Sequence, residues 1–170
     1  SLIKVKSTTL RAAANACSHN GRKPMTAMFA CDETLIGQGY AIYCLFEDSS
    51  SHDINTVRAQ FETIEELKYD SLTPLFPAAA WYEREIFDMF GIEPLGHPDL
   101  RPLILHESYP EGFYPLRKNV GVDEDIHGER EFMVATAQGE GVFEVAVGPI
   151  HAGIIEPGHF RLSQGGEAKL

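Results

Sequence analysis

The residues with the most chemical potential lie in one dense run: Trp81-Tyr82-Glu83-Arg84-Glu85, then Asp88-Met89-Phe90-Gly91, then His97-Pro98-Asp99-Leu100-Arg101. Carboxylates and guanidiniums interleave here with large aromatic rings. At helical spacing Ala78, Trp81, Tyr82, Ile86, Met89 and Phe90 share one face, and Glu85 falls on that same stripe. A carboxylate within an apolar face is costly unless a cation or donor meets it, so Glu85 calls for Arg84, Arg101, Arg117 or a neighbouring chain. The simpler alternative is an ordinary amphipathic helix with one satisfied glutamate. Arg84 and Asp88, four apart, are expected to pair on the wetter side. His97 with Asp99 suggests acid–base work and His106 with Glu107 a metal site, but a proline-ordered turn accounts for the first and solvent exposure for the second.

Other chemistry is poorly provided for. Cys17, Cys31 and Cys44 are odd in number and never spaced as Cys-x-x-Cys, which argues against a disulfide framework, a zinc ribbon or a four-thiolate iron–sulfur site. Reduced thiols in the cytoplasm are the default. There is no Gly-x-Ser-x-Gly or His-Glu-x-x-His, and Gly37-Gln38-Gly39 is too short to cradle a phosphate.

The elements that must position the dense run are readable around it. Pro77 suits a first helical turn and Gly91 the left-handed position after the last, so a helix is expected between them. Leu2 to Lys6 alternates like an edge strand, and Thr8 to His19 reads as an alanine-rich helix stopped by Asn20-Gly21. Met25 to Cys31, Tyr40 to Glu47 and Ile54 to Glu62 read as a three-stranded meander, with Ser49-Ser50-Ser51 turning between the last two. Val57, Ala59 and Phe61 form the inward side of the third strand, and Arg58, Gln60 and Glu62 the outward side. Residues 65–77 are a connection, and Pro98 to Pro115 an ordered but irregular arm.

The fold class is α+β: a small antiparallel or mixed sheet with packed helices, an irregular proline-rich arm and a C-terminal β-hairpin. Asp123, Glu124, Asp125, Glu129 and Glu131, with Gly121 and Gly128, form an acidic junction. The expected organisation is a domain over 1–120, a linker over 121–140 and the truncated start of a second domain over 141–170. In that last part Val142 to Val147 and His159 to Ser163 read as hairpin partners. A hairpin without further strands is marginal, so disorder is expected there.

Composition sets limits. The 170 residues carry a net charge of −11, unlike a nucleic-acid or anionic-membrane binder. Residues 1–31 hold Lys4, Lys6, Arg11, Arg22 and Lys23 and no acid. This basic start could be mistaken for a transit peptide, but the opening Ser1 reads as the start of an expressed fragment. The longest apolar run, Tyr40 to Phe46, falls far short of the ~20 residues of a membrane helix. A membrane link is expected to pass through partners.

Four ordered blocks carry a family resemblance: Trp81 to Glu85, Asp88 to Ile92, Gly96 to Arg101, and Tyr114-Pro115-Leu116-Arg117-Lys118. Together they resemble the hydrophilic C-type subunit of respiratory complex I, the NADH:quinone oxidoreductase, and its relatives in membrane-bound hydrogenases. His-Pro-Asp also marks J-domains of co-chaperones, but a J-domain needs a basic helix before it, which is missing. Asn119 stands where the family usually has aspartate, and His106 to Pro110 replaces a more acidic segment. The resemblance implies a docking role, with Trp81, Tyr82 and Phe90 fixing the helix on the sheet and Glu85, Arg101, Arg117 and Lys118 anchoring the arm.

Gly148-Pro149-Ile150-His151 and Glu156-Pro157-Gly158-His159-Phe160-Arg161 resemble the start of the D-type subunit of complex I and of nickel–iron hydrogenase large subunits. They are closest to the formate hydrogenlyase type, group 4, in which C-like and D-like parts are fused. In complex I this resemblance places His151 at a quinone pocket, where a neutral imidazole can donate to a carbonyl being reduced. In the hydrogenase branch it places Glu156, His159 and Arg161 near a proton exit. The alternative is that His151 shapes a turn and the others are hairpin surface. A nickel–iron centre needs paired Cys-x-x-Cys thiolates, absent from this chain, so the fragment itself is expected to be non-catalytic. The resemblance implies 4Fe-4S clusters in an iron–sulfur small subunit of the complex I B type, other hydrophilic and membrane subunits as partners, and a peripheral place on the cytoplasmic face of the membrane. Hydrogen evolution coupled to electron transfer is the expected function of the whole complex; a complex I C-type or fused C-D chain, or a free-standing binding module, are the alternatives.

Overall fold

The computed structural model describes residues 1–48, 51, 53–106, 108–121, 126–128 and 137–166. Two compact units result, Ser1–Glu131 and Phe132–Leu170. Ser49 and Ser50 of the expected turn, Glu107, and acidic-junction residues Asp123, Glu124, Asp125, Glu129 and Glu131 lie outside the described residues.

In the first unit, β1 (Leu2–Lys6), β2 (Met25–Asp32), β3 (Tyr40–Glu47) and β4 (Ile54–Phe61) make a sheet of order β1-β4-β3-β2. The meander β2-β3-β4 is antiparallel, as the alternation predicts. β1 joins it parallel to β4, from Leu2 opposite Thr56 to Lys6 opposite Gln60, so the sheet is mixed. Parallel neighbours need a long crossover between them. Here α1 (Leu10–Cys17), entered through a 3-10 turn at Ser7–Thr9, begins that path. It stops where His19, Asn20 and Gly21 all take left-handed backbone angles.

The core forms where Ile42, Cys44 and Phe46 of β3 and Val57, Ala59 and Phe61 of β4 meet Leu10, Ala14 and Cys17 of α1 and the second helix, α2 (Ala79–Phe90). β3 is central and its residues are buried or half-buried throughout, which explains its nearly unbroken apolar character. Two three-residue strands, β5 (Lys68–Asp70) and β6 (Glu93–Leu95), pair in parallel from either side of α2 in the chain. The region 65–77 is therefore more than a connection; three residues are too few to show a period. From residue 96 to 121 the described chain contains neither helix nor strand.

The helix between Pro77 and Gly91 forms, with Gly91 at φ 69° closing it, and of the expected face Ile86, Met89 and Phe90 are buried and Tyr82 half-buried, but the rest of that face turns outward. The buried side is Ala79, Glu83, Ile86, Met89 and Phe90, whereas Ala78, Trp81 and Glu85 are exposed. Side-chain polarity alone misplaces the stripe. Donors waiting at residues 71–73 make Glu83, not Glu85, the carboxylate that can be buried.

In the second unit, β7 (Val142–Val147) and β8 (Phe160–Gly165) pair antiparallel from Val142 opposite Gly165 to Val147 opposite Phe160. Against the expectation of disorder, residues 137–166 form a hairpin, with Arg161 donating both guanidinium arms to Glu144 at 2.8 Å. Every residue of β8 is nonetheless exposed. Among the described residues no helix is long and apolar enough to cross a membrane.

Candidate functional site

The polar residues of the dense run converge on two tasks. Glu83, fully buried on α2, accepts from Ser71 Oγ at 2.7 Å, Thr73 Oγ1 at 2.7 Å and the Leu72 amide at 2.6 Å. A buried carboxylate is tolerable when its lone pairs are filled in this way. His97 lies against it, Nε2 3.9 Å from the carboxylate. That nitrogen also sits 3.1 Å from the Ala80 carbonyl, which can only accept, while Nδ1 receives the Asp99 amide at 3.0 Å. The two bonds set the tautomer, with the hydrogen on Nε2. His97 and Asp99 are thus not a proton-transfer pair. The Asp99 carboxylate turns instead to Arg101, whose bidentate hydrogen bonds at 2.8 and 2.7 Å hold it well below the usual carboxylate range.

The second task is to hold the arm. Asp88, expected to pair with Arg84 in water, is buried, and its Oδ2 accepts the amides of Leu103, Ile104 and Leu105 at 2.8, 2.8 and 3.2 Å. Arg84 points to the same segment, donating to the carbonyls of Arg101 and Pro102 at 2.8 and 2.9 Å. Further along, Arg117 donates to the Phe90 carbonyl at 2.8 Å and lies over the Tyr114 and Tyr40 rings at 4.3 and 5.6 Å. A Cβ on Gly91 would run into the Tyr114 ring and come within 2.7 Å of Arg117 Nη2, so this close approach needs glycine for space as well as for its backbone angle. The Lys118 amide, not its ammonium, reaches Asp32 at 2.7 Å.

The anchoring expected of Arg117 and Lys118 therefore has a geometric basis. That expected of Glu85 and of the Arg101 side chain does not: among the described residues Glu85 is exposed without a partner, and the Arg101 guanidinium pairs with Asp99. Tyr82 is half-buried, its hydroxyl 3.4 Å from the Thr26 carbonyl on β2, and Phe90 is in the core. Trp81, however, does not fix the helix on the sheet, being 64% exposed with Arg84 5.7 Å from its ring.

One cluster is not foreseeable from the sequence pattern. Arg58, on the outward side of β4 and only 3% exposed, donates to Tyr43 Oη, Gln60 Oε1 and Gln38 Oε1 at 3.0, 3.2 and 3.0 Å, and pairs with Glu33. It ties the 33–39 loop onto the sheet. Burial alone would raise the Glu33 carboxyl, but hydrogen bonds from Arg58 and Tyr43 and the Arg58 charge bring it below its ordinary value. Asp32 is lowered likewise: burial opposes, and the Lys118 and Thr34 hydrogen bonds prevail. Both carboxyls sit lower folded than unfolded, so their stabilisation is complete above the unfolded carboxylate range, near pH 4, and is lost as pH falls through the folded values. Urea midpoints measured from pH 7 to pH 2.5 are expected to hold down to about pH 4.5 and then drop; the Glu33→Gln variant should lose less over the acid interval.

In the hairpin, His151 Nε2 is 2.7 Å from the Gly158 carbonyl and its ring meets Phe160 edge-on, so the imidazole closes the neck of the 148–159 loop. Glu156, His159 and Arg161 are exposed. His106 is 2.7 Å from Ser108 Oγ and packs on Tyr109. Among the described residues no three His, Cys, Asp or Glu side chains come together to hold a metal ion. Cys17 and Cys44 are sealed in the core, where burial pushes both thiols up, and Cys31 stands apart on β2. These thiols do not fit the ligation of a nickel–iron centre or an iron–sulfur cluster.

Residues 3–125 match the model of the respiratory-chain NADH dehydrogenase 30 kDa subunit. The chain belongs to that family. This match takes in all four signature blocks, with both of the carboxylates that organise the arm and its neighbourhood. Among curated relatives, hydrogenase-4 component G of Escherichia coli is 34% identical over 154 residues, covering 88% of this chain and 27% of the relative. Formate hydrogenlyase subunit 5 of the same organism is 35% identical over 156 residues, covering 84% and 26%. This 30 kDa-family chain thus spans about a quarter of the length of those relatives. The C-type subunit of the NADH-quinone oxidoreductase of Maricaulis maris is 44% identical over 70 residues, covering 41% of this chain and 34% of the relative. Among solved structures, an archaeal membrane-bound sulfane sulfur reductase respiratory complex aligns at TM-score 0.58 and 19% identity, covering 71% of each chain. A trypsin-resistant fragment of Nqo5 aligns at TM-score 0.51 and 19% identity, covering 58% of this chain and 81% of the fragment. The family's α+β fold is therefore the fold of this chain.

Proposed function

We propose that residues 1–120 are the assembly and docking domain of a membrane-associated, hydrogenase-type oxidoreductase of the formate hydrogenlyase kind, non-catalytic by itself. Residues 141–170 are then the front of a D-like large-subunit domain. The observation that carries this reading is the extent of similarity. An alignment covering 88% of the chain runs well past residue 125, where the family model ends, and so enters the hairpin of the second unit. In this reading the nickel–iron centre is held by residues beyond Leu170, the 4Fe-4S clusters by a small subunit, and His151, Glu156, His159 and Arg161 line a proton or quinone path. The complex sits peripherally on the cytoplasmic face of the membrane through its other subunits. The second reading, a C-type or fused C-D chain of NADH:quinone oxidoreductase, is favoured by the 44% identity over 70 residues to a C-type relative.

Co-expression with the iron–sulfur small subunit of the same organism tests the docking role. The two are expected to co-purify, and Arg117→Ala, which frees the arm end from Phe90, should cut recovery of the small subunit about tenfold. A wild-type chain that elutes alone as a stable monomer would make it a free-standing binding module. Unchanged recovery with Arg117→Ala would remove the arm from the docking account.

A further inference from the structure

Nearly every charged or aromatic side chain of the dense run has an internal task. Glu83 binds residues 71–73, Arg84 and Asp88 bind the arm, and Phe90 is in the core. Trp81 and Glu85 do not. They lie one turn apart on α2, with Ala78 on the same ridge and exposed Leu75 just before the helix. Among the described residues the indole N–H makes no hydrogen bond, and Glu85 neither a hydrogen bond nor an ion pair.

Resting on the docking reading, we propose that this ridge is the seat of a partner subunit whose surface offers an apolar cup and an acceptor for the Trp81 indole, and an arginine or lysine for Glu85. Charge selects a cationic protein over other occupants. The chain carries −11 and the ridge a free carboxylate, which repel phosphate backbones and anionic lipid. The ridge is also prepared for binding. Arg84 lies 5.7 Å from the Trp81 ring and is itself held by two carbonyls of the arm, so the cation beside the indole is already in place before a partner arrives. An exposed tryptophan beside a charge is the composition of an interface anchor.

The test uses the co-expressed chain and small subunit, captured through the chain and washed at rising salt. Trp81→Ala and Glu85→Lys are each expected to lower small-subunit retention about tenfold or more. Glu85→Gln should lower it less and flatten its salt dependence. Leu35→Ala, at another exposed apolar residue, is the control and should retain the small subunit fully. Because both ridge residues are exposed, the melting temperature of each isolated variant should stay at the wild-type value. Wild-type retention with Trp81→Ala and Glu85→Lys, while Arg117→Ala still loses the small subunit, would overturn the ridge and leave the docking reading intact. No retention by the wild-type chain would overturn both. A self-associating chain made monomeric by Trp81→Ala would replace the cationic partner with a second copy and likewise overturn the proposal.

Discussion

Glu83→Ala is expected to cost the first unit about 4 kcal/mol, because it removes a buried carboxylate and strands three donors at once. Ser71 Oγ, Thr73 Oγ1 and the Leu72 amide all point at it, and Ser71 and Leu72 are themselves fully buried. The hydroxyls can rotate; the amide cannot. Glu83→Gln separates charge from connectivity. Its carbonyl can still take the Leu72 amide while its NH₂ donates to the two hydroxyl oxygens, so a loss of only about 1 kcal/mol is expected. Urea unfolding of the two variants reads the difference. Equal losses would mean that charge, not the filling of donors, is what Glu83 supplies.

Asp88→Ala should be nearly as damaging, about 3 kcal/mol, and its effect should be local to the arm. One oxygen, Oδ2, gathers three successive amides at Leu103, Ile104 and Leu105, an arrangement available only to a strong acceptor in a sheltered place. Asp88→Asn can keep an oxygen there and loses only charge assistance, about 1 kcal/mol. Hydrogen exchange gives the sharper measurement. The three amides should exchange about 100-fold faster in Asp88→Ala, while those of β3 change little. Uniform acceleration across β3 and the arm would show that the arm is not a separate unit of stability.

The strands of the meander, both ends of α2 and the irregular arm are legible in the sequence because each depends on a local rule: alternation, proline and glycine at helix ends, proline density. The buried face of α2 is not. Summing apolar residues places Trp81 and Glu85 on the packed stripe, and the burial of Glu83 instead arises from donors at residues 71–73, brought close by the pairing of β5 with β6. Arg58 is hidden for a related reason. Period two puts it on the outward side correctly, but its burial comes from a loop 25 residues earlier that folds back across the sheet. At the dense run the residue types are recognisable as important while their tasks are exchanged: Glu83 takes the buried place expected of Glu85, and Asp88 and Arg84 the hold on the arm expected of Glu85 and Arg101. The relative placing of polar groups in three dimensions decides such assignments, and no spacing in one segment encodes it.

Apart from Arg117, whose guanidinium bonds the Phe90 carbonyl, the arm makes its hydrogen bonds to α2 and β2 through its main chain: the amides of residues 103–105, 116 and 118 and the carbonyls of 101 and 102. A grip on peptide groups is blind to what the side chains are, glycine and proline aside. The path of the arm is then inherited with Asp88, Arg84 and Asp32, while its outward residues are free to drift. His106, Ser108 and Asn119, all exposed, belong to that free side. Such a framework lets a lineage respecify what its arm touches without learning to fold again.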